Sequence, residues 1–346
     1  MEKKKICVLG LSEHQLNGIK ILAKNFLIIG IDSDQSAVGK KFVHRFYNIS
    51  VLEKEKILKI CKKLNVVRVL SFNSEICLKS QIWLNSKLFG FSLKNWNIVL
   101  NKSRLRNFFL FNNLPCPKFY YSKNKSVKEW SKFPAIIKPV IGSGSRGVFL
   151  MKTIENLKKV LVDQKKIYSK GFIIEEYIPG IEYALEGWCI NGKFYLGCIS
   201  RKFRSDPPHL YDKFLNINIS HRILEKKIIK LMQLFFNKVN IDNVPIHAEF
   251  KFYKKEIYII DLSLRGAGFG VYSEILSKII NVNTDKLLLN LTFGNYQDEI
   301  VKTKKKFTLI FFNSYEKKKI IKKKIELKKL KTFYRVIFYK KIVTIT

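Results

Sequence analysis

The sequence lacks any apolar run near the roughly 20 residues that cross a bilayer, and its six cysteines include no Cys-x-x-Cys pair. Acids are also few, 27 Asp and Glu against 65 Lys and Arg over 346 residues. The first absence argues against a membrane-spanning helix. The opening stretch MEKKKICVLG puts basic residues before an apolar run. That run ends by Ser12, short of the ~7–15 residues of a secretory core, and no small-residue cleavage site follows. Residues 5–10 read instead as a first buried strand, and the expected location is cytoplasmic. The cysteines at 7, 61, 77, 116, 189 and 198 have no metal-ligand spacing, and most lie in apolar runs where a thiol behaves as a small hydrophobe. Structural zinc is not expected, and a reducing compartment fits. What is abundant is apolar: 47% hydrophobic and 13% aromatic residues exclude a disordered polar chain. The length suits two or three domains that need no staple.

The formal net charge of +38 raises nucleic acid as a partner. Arginine, however, is scarce: ten against fifty-five lysines. Sites that read phosphates and base edges favour the bidentate guanidinium fork. Lysine spread along the chain, in company with Ile, Asn and Phe, matches the composition that an AT-rich genome imposes. Nucleic acid is therefore not the expected partner, although the charge should attract anionic substrates.

Further absences concern motifs. The turn after residues 5–10 has no GxGxxG, GxxxxGK[ST] occurs nowhere, no Ser–His–Asp arrangement is visible, and no internal repeat is found. The first hundred residues alternate, with strands expected over 5–10, 26–32 and 66–71 and helices over 15–23 and 53–64. Such alternation implies parallel βαβ units and an open sheet. Ligands of these sheets bind beyond the carboxyl ends of the strands, which places Ser12, Glu13, Asn73 and Glu75 at a crevice, unless they are plain loop residues. A helix over 101–111 stops before Pro115 and Pro117. Short strands and hairpins follow from about 133, then a helix over 222–240, a strand over 307–312, a Lys-rich stretch over 317–331 and a final strand pair.

Three segments carry the chemistry. FPAIIKPVIGSGSRGVFL (133–150) is a strand with one lysine, a Gly- and Ser-rich loop, and a second strand. Glycines let backbone N–H groups turn toward an anion, and serines add donors. The same segment can equally be a hairpin with an incidental lysine. FIIEEYIPGIEYALE (172–186) ends a strand in paired carboxylates and turns at Pro-Gly, leaving backbone groups that can pair with an adenine edge. HAEFKFYKKEIYIIDLSLRGAG (247–268) is a hairpin around Lys254 and Lys255. Period-two alternation puts His247 and Glu249 on one face of the first strand and Asp261, Ser263 and Arg265 on one face of the second. If the paired residue numbers sum to about 510, Glu249 faces Asp261, about 5 Å apart. Two carboxylates that close need a cation between them, and Mg²⁺ shared with substrate phosphate would supply it.

In this order and spacing the segments resemble the ATP-grasp superfamily, in its carboxylate–amine ligase branch related to L-amino-acid ligases, over residues 1 to about 300. The resemblance implies a mixed α/β and α+β fold. An N-terminal open parallel α/β (pre-ATP-grasp) domain would span 1–100. An ATP-grasp domain of two α+β subdomains would span 101–300, with a small Lys-rich C-terminal α+β segment over 301–346. It implies ATP and Mg²⁺, with Mn²⁺ able to substitute. Lys102 and Lys138 resemble the phosphate-touching lysines. Gly142, Ser143, Gly144, Ser145, Arg146 and Gly147 resemble the flap over the triphosphate. Glu175, Glu176, Tyr177 and Ile178 match the adenine hinge, and Glu182 the ribose side. Glu249 and Asp261 match the metal carboxylates, with Ser263 where asparagine is usual and Asp261 where glutamate is commoner. Arg265 and Lys138 take the catalytic roles, and Lys202 and Arg204 can approach the γ-phosphate or substrate carboxylate. The implied reaction activates a small-molecule carboxylate as an acyl phosphate and couples it to an amine, an amino acid among the candidates, in a homodimer. A bicarbonate-using carboxylase or carbamoyl-phosphate-type enzyme, and a degenerate ATP-binding protein, are the alternatives.

Overall fold

The computed structural model describes residues 3–311 apart from 124–126, 128, 129, 143, 207–209, 295 and 297–299. Strands β1 (Lys5–Leu9), β2 (Leu27–Asp32), β3 (Arg45–Asn48) and β4 (Arg68–Leu70) form a parallel sheet in the order β3-β2-β1-β4. Helices α1 (Leu16–Asn25) and α2 (Lys54–Lys63) and a longer helix α3 (Glu75–Phe89) cover it. Alternation along β1 sorts its side chains. Ile6 and Val8 pack with Ile19 and Leu22 of α1, while Cys7 and Leu9 pack with Ile57 and Cys61 of α2. Both faces are buried, which is why the strand reads as an unbroken apolar run.

Helices α4 (Leu93–Val99) and α5 (Lys102–Phe111) lead into the rest of the chain. The Asn101 side chain accepts from the N–H groups of Ser103 at 3.0 Å and Arg104 at 3.2 Å, an N-cap that fixes where α5 starts. Strands β5 (Phe119–Ser122), β6 (Ala135–Pro139), β7 (Phe149–Met151) and β8 (Phe172–Glu176) make an antiparallel sheet in the order β5-β8-β6-β7, joined by α6 (Ile154–Asp163). A six-stranded antiparallel sheet follows, from β9 (Ile181–Ile190), β10 (Lys193–Arg204), β11 (Asp212–Ile217), β12 (Val244–Tyr253), β13 (Glu256–Ser263) and β14 (Phe307–Ile310). Its order is β13-β12-β9-β10-β11-β14. Helix α7 (Arg222–Val239) buries one face of that sheet. A π-helical turn (Val271–Leu276), α8 (Ser277–Ile280) and α9 (Thr284–Phe293) cover the other face around Trp188. The strand expected over 307–312 is β14, and it extends this sheet beside β11. The Lys-rich stretch over 317–331 and the strand pair after it lie outside the described residues. Among the described residues no helix is long and apolar enough to cross a membrane.

Helix α9 also reaches back to the N-terminal sheet. Asp285 in its first turn is 1% exposed, and its Oδ2 accepts from Asn17 Nδ2 of α1 at 2.5 Å, while Oδ1 has no partner among the described residues. Burial pushes this carboxyl up to about 6, with the Asn17 bond opposing it. The folded chain therefore holds a proton that the unfolded chain, with a pKa near 3.9, has released. This contribution to stability is full below about pH 4 and is lost as pH rises through about 6. Asp285→Asn is expected to gain roughly 2–3 kcal/mol at pH 8 and little at pH 4. Urea midpoints at the two pH values check it, and an unchanged midpoint at pH 8 would count against a strained carboxylate.

Candidate active site

Strand alternation decides which side chains meet. On the six-stranded sheet, Glu182, Ala184 and Glu186 of β9, Ser200, Lys202 and Arg204 of β10, and Asp212 of β11 line one cavity of about 930 Å³. His247, Glu249 and Lys251 of β12 and Asp261 and Ser263 of β13 complete its floor. The residues between them, among them Leu185, Ile199, Ala248, Phe250 and Leu262, go the other way into the core under α7. The facing wall carries Lys138 of β6, Glu175 and Glu176 of β8, Tyr177, Ile178, and Gly142, Gly144, Ser145 and Arg146 of the β6–β7 turn. Gly144 and Gly147 have φ of 65° and 74°, which a side chain would strain. Gly147 lies below the rim, its carbonyl accepting from the Tyr168 hydroxyl at 2.7 Å. Ser143 lies outside the described residues. Ser12, Asn73 and Glu75, at the carboxyl ends of β1 and β4, close the third side. Glu13 lines a neighbouring cavity with Asn17 and Glu274 instead.

The hairpin of β12 and β13 turns at Lys254 and Lys255, with φ of 48° and 65°, the mirror-type geometry of two-residue hairpin loops. Next to the turn Tyr253 pairs with Glu256 and Phe250 with Ile259. Ile260 is then an inserted residue, and beyond it Glu249 pairs with Asp261 and His247 with Ser263. Without this bulge Glu249 would face Ile260, and Asp261 would point at the core. Alternation puts Glu249 and Asp261 at cavity-facing positions, but the register that pairs them depends on this bulge, which has no sequence signature here. The Ile260 carbonyl, freed from the ladder, accepts from Lys138 Nζ at 2.7 Å and Arg106 Nη2 at 2.5 Å.

Among the described residues, Glu75, Glu175, Glu182, Glu186, Asp212, Glu249 and Asp261 of this cavity each meet a basic side chain. Glu175 accepts from Arg106 Nε at 2.6 Å and pairs with Lys138 Nζ at 2.7 Å, all three side chains being almost fully buried. Burial works to raise the Glu175 pKa, but Arg106 and Lys138 outweigh it and hold it below the usual value. Burial pulls Lys138 down to about 8, with Glu175 opposing. Lys102, at the first position of α5, binds Asp261. Burial acts against the charge on Asp261 as well, yet Lys102 and Lys138 keep its pKa low. Lys202 binds Glu249 and approaches Asp212 at 3.4 Å, and Arg204 binds Glu182 and Asp212. Arg204 Nη1 also donates to Ser145 Oγ at 3.1 Å, tying the β6–β7 turn to the sheet. Glu249 sits well below the ordinary carboxylate range, because Lys202 and His247 overcome the burial that would raise it. His247 Nδ1 meets Glu186 Oε1 at 2.5 Å, and that carboxylate lifts the imidazole to about 9 against the burial that lowers it.

The Glu75 carboxylate, in the first turn of α3, reaches across the cavity. Its Oε2 accepts from Ser263 Oγ at 2.6 Å and from Arg265 Nε at 2.9 Å. Ser263 and Arg265, expected beside a metal and a phosphoryl group, are thus held by one acid from α3. Glu182, expected toward a ribose, has its carboxylate on Arg204 and, at 3.3 Å, on Lys251. The Glu176 carboxylate accepts from the Lys118 N–H at 2.8 Å at the strand edge.

The cavity thus has paired carboxylates on its floor, lysines on its walls and a Gly-rich turn at its rim. A family model described as the ATP-grasp domain covers that floor and that turn. Residues 131–273 match it. A formate-dependent phosphoribosylglycinamide formyltransferase of Wolinella succinogenes is 24% identical over 160 residues, 44% of this chain and 41% of that protein. The chain spans less than half the length of the curated relatives it matches. The solved L-amino acid ligase from Bacillus licheniformis superposes with a TM-score of 0.74 at 18% identity, covering 87% of this chain and 78% of that one. N5-carboxyaminoimidazole synthetase from Staphylococcus aureus, complexed with ADP, gives 0.73 at 12% identity, with 94% and 87% covered. These likenesses establish the fold.

Within the ATP-grasp domain, no group of three or more His, Cys, Asp or Glu among the described residues is arranged to hold a metal alone. Glu249 and Asp261 nonetheless fit Mg²⁺. They are hard oxygen donors, each balanced by a flexible ammonium group that a divalent ion can displace, and Mg²⁺ takes one or two carboxylates plus phosphate and water. Arg106, Asp212 and Lys79 of this cavity's surroundings went unnoticed in the sequence. For Arg106 the available signal was rarity, an arginine in an apolar helix of a chain that elsewhere uses lysine.

Proposed function

We propose that the protein is an ATP-dependent ligase that activates a small carboxylic acid as its acyl phosphate and joins it to an amine. The observation that supports this most is the Glu249–Asp261 pair on adjacent strands, set across the cavity from Lys138. A substrate carboxylate oxygen attacks the γ-phosphorus, the bond to the β–γ bridging oxygen breaks, and ADP leaves. The amine nitrogen then attacks the acyl carbon, phosphate departs, and the nitrogen loses a proton. Magnesium, when bound by Glu249 and Asp261, would offset charge on the phosphate oxygens. Lys102 and Lys138 hold the phosphates, Arg265 neutralises the transferring phosphoryl group, and the turn at 142–147 excludes water.

The test is ADP release with Mg-ATP and hydroxylamine over a panel of small acids that includes amino acids. A hydroxamate from one acid supports the reading and names its donor. Mg-ATP binding with no hydroxamate from any acid would remove the ligase chemistry, and no Mg-ATP binding would remove the nucleotide site. In the same assay, Glu75→Gln is expected to lower the hydroxamate rate by about tenfold or more, with the KM for Mg-ATP little changed, because Arg265 loses its anchor. Glu75→Asp should recover part of the rate. An unchanged rate in Glu75→Gln would leave that contact a purely structural tie.

A further inference from the structure

Strand β4 joins two cavities. Its carboxyl end leads to Asn73 and the site described above, while its amino end is Arg68. Arg68 pairs with Ile6 and shares the face of Ile6 and Leu70, toward α1 and α9. There it lines an open cavity of about 880 Å³ together with Lys4, Lys24 and Lys286. No carboxylate is among the described residues that line it. Phe26 and Phe293 form part of its wall, stacked at 5.3 Å and 16°.

Lysines gather by composition alone in this chain, so the lysines do not make the argument. Arg68 does. It is one of only ten arginines, its guanidinium is half-buried over the rings of Phe89 and Phe91 at 5.6 and 4.9 Å, and its Nε is buried with no hydrogen-bond partner among the described residues. Burial lowers its pKa, and no acid acts to restore it. A buried N–H without an acceptor is rare and points to a partner that completes it, such as an ion. A guanidinium so placed suits a planar oxyanion, and the adjoining aromatic wall suits a flat apolar body.

We propose that this cavity is an anion site, separate from the ATP-grasp cavity, that takes a small aromatic carboxylate or phosphate with Arg68 as its anchoring donor. It does not depend on the ligase reading. The probes are benzoate and phenyl phosphate, titrated calorimetrically into the full chain at low salt, where exposed charges are least screened. One equivalent of at least one probe should bind. Arg68→Gln should weaken it about tenfold or more, and Lys286→Glu, an exposed change that cannot harm the core, by several-fold. Lys102→Met, in the ATP-grasp cavity, should leave the affinity unchanged. Which probe binds tighter distinguishes a carboxylate ligand from a phosphate one. The proposal is overturned if neither probe binds at about 10 mM, if both Arg68→Gln and Lys286→Glu bind like the parent, or if Lys102→Met abolishes binding. Inorganic phosphate binding as tightly as phenyl phosphate would overturn the aromatic part.

Discussion

Asp261→Asn is expected to lose roughly a thousandfold of the ATP-dependent hydroxamate rate and to keep its fold. The Asp261 side chain is 38% exposed and opens into the cavity. Asparagine has the same shape and can still accept the Leu262 N–H that Oδ1 now accepts at 3.1 Å. What disappears is the negative charge. Lys102, which loses its partner, is 16% exposed at the cavity wall, so a cost of about 1–2 kcal/mol is expected, below that of a fully buried pair. Glu249→Gln should be equally inactive but less informative. Lys202 beneath it is 3% exposed and would be left with one fewer acid among three cations, so lost activity would mix with lost stability. The pair of measurements is therefore rate and thermal midpoint in Asp261→Asn. A variant that keeps more than about a tenth of the rate with a midpoint no lower than that cost implies would mean that the phosphoryl group is held elsewhere.

Local pattern carried much of this architecture. The βαβ alternation of the first hundred residues, the Asn101 cap of α5 and the turn at Lys254 and Lys255 are all short-range features, and the structure has elements at each. Face assignment was legible too, because period-two alternation in 182–186, 247–251 and 261–263 separates polar from apolar positions. The partners of those polar residues were not legible. Glu175 is 69 residues from Arg106, and Glu75 is 188 residues from Ser263, distances over which no spacing rule operates. The family resemblance puts Glu175 and Glu182 toward a nucleotide. It has no means of showing that their carboxylates are already taken by Arg106 and Lys138, and by Arg204 and Lys251. The bulge at Ile260 was equally silent, since any apolar strand residue can occupy that position. One compositional signal had been available. Where lysine is the default cation, an arginine marks a place that needs a fork, and Arg106, Arg204 and Arg265 each make two or more contacts in this cavity.

The Arg106–Glu175–Lys138 group yields the largest expected effect on stability. Its side chains are 1%, 3% and 7% exposed, and it joins α5, β8 and β6 to the Ile260 carbonyl of β13. Glu175→Gln removes the only carboxylate between two buried cations, so a cost of about 3–5 kcal/mol is expected. The two cations differ in how they respond. Arg106 cannot shed its proton, whereas burial already brings Lys138 down to about 8 and Glu175 is the main group opposing it. Without Glu175, Lys138 should titrate lower still. The parent loses the Lys138 charge as pH rises through about 8, so the deficit of Glu175→Gln should be largest near pH 6 and shrink toward pH 9. Removing both fixed charges, in Arg106→Met with Glu175→Gln, leaves Lys138 with the glutamine and the Ile260 carbonyl. That double variant should cost clearly less than the sum of the two single changes. Denaturant midpoints for the four proteins at pH 6 and pH 9 check both parts. Strictly additive costs, with no dependence on pH, would mean that these three groups touch without sharing their charge.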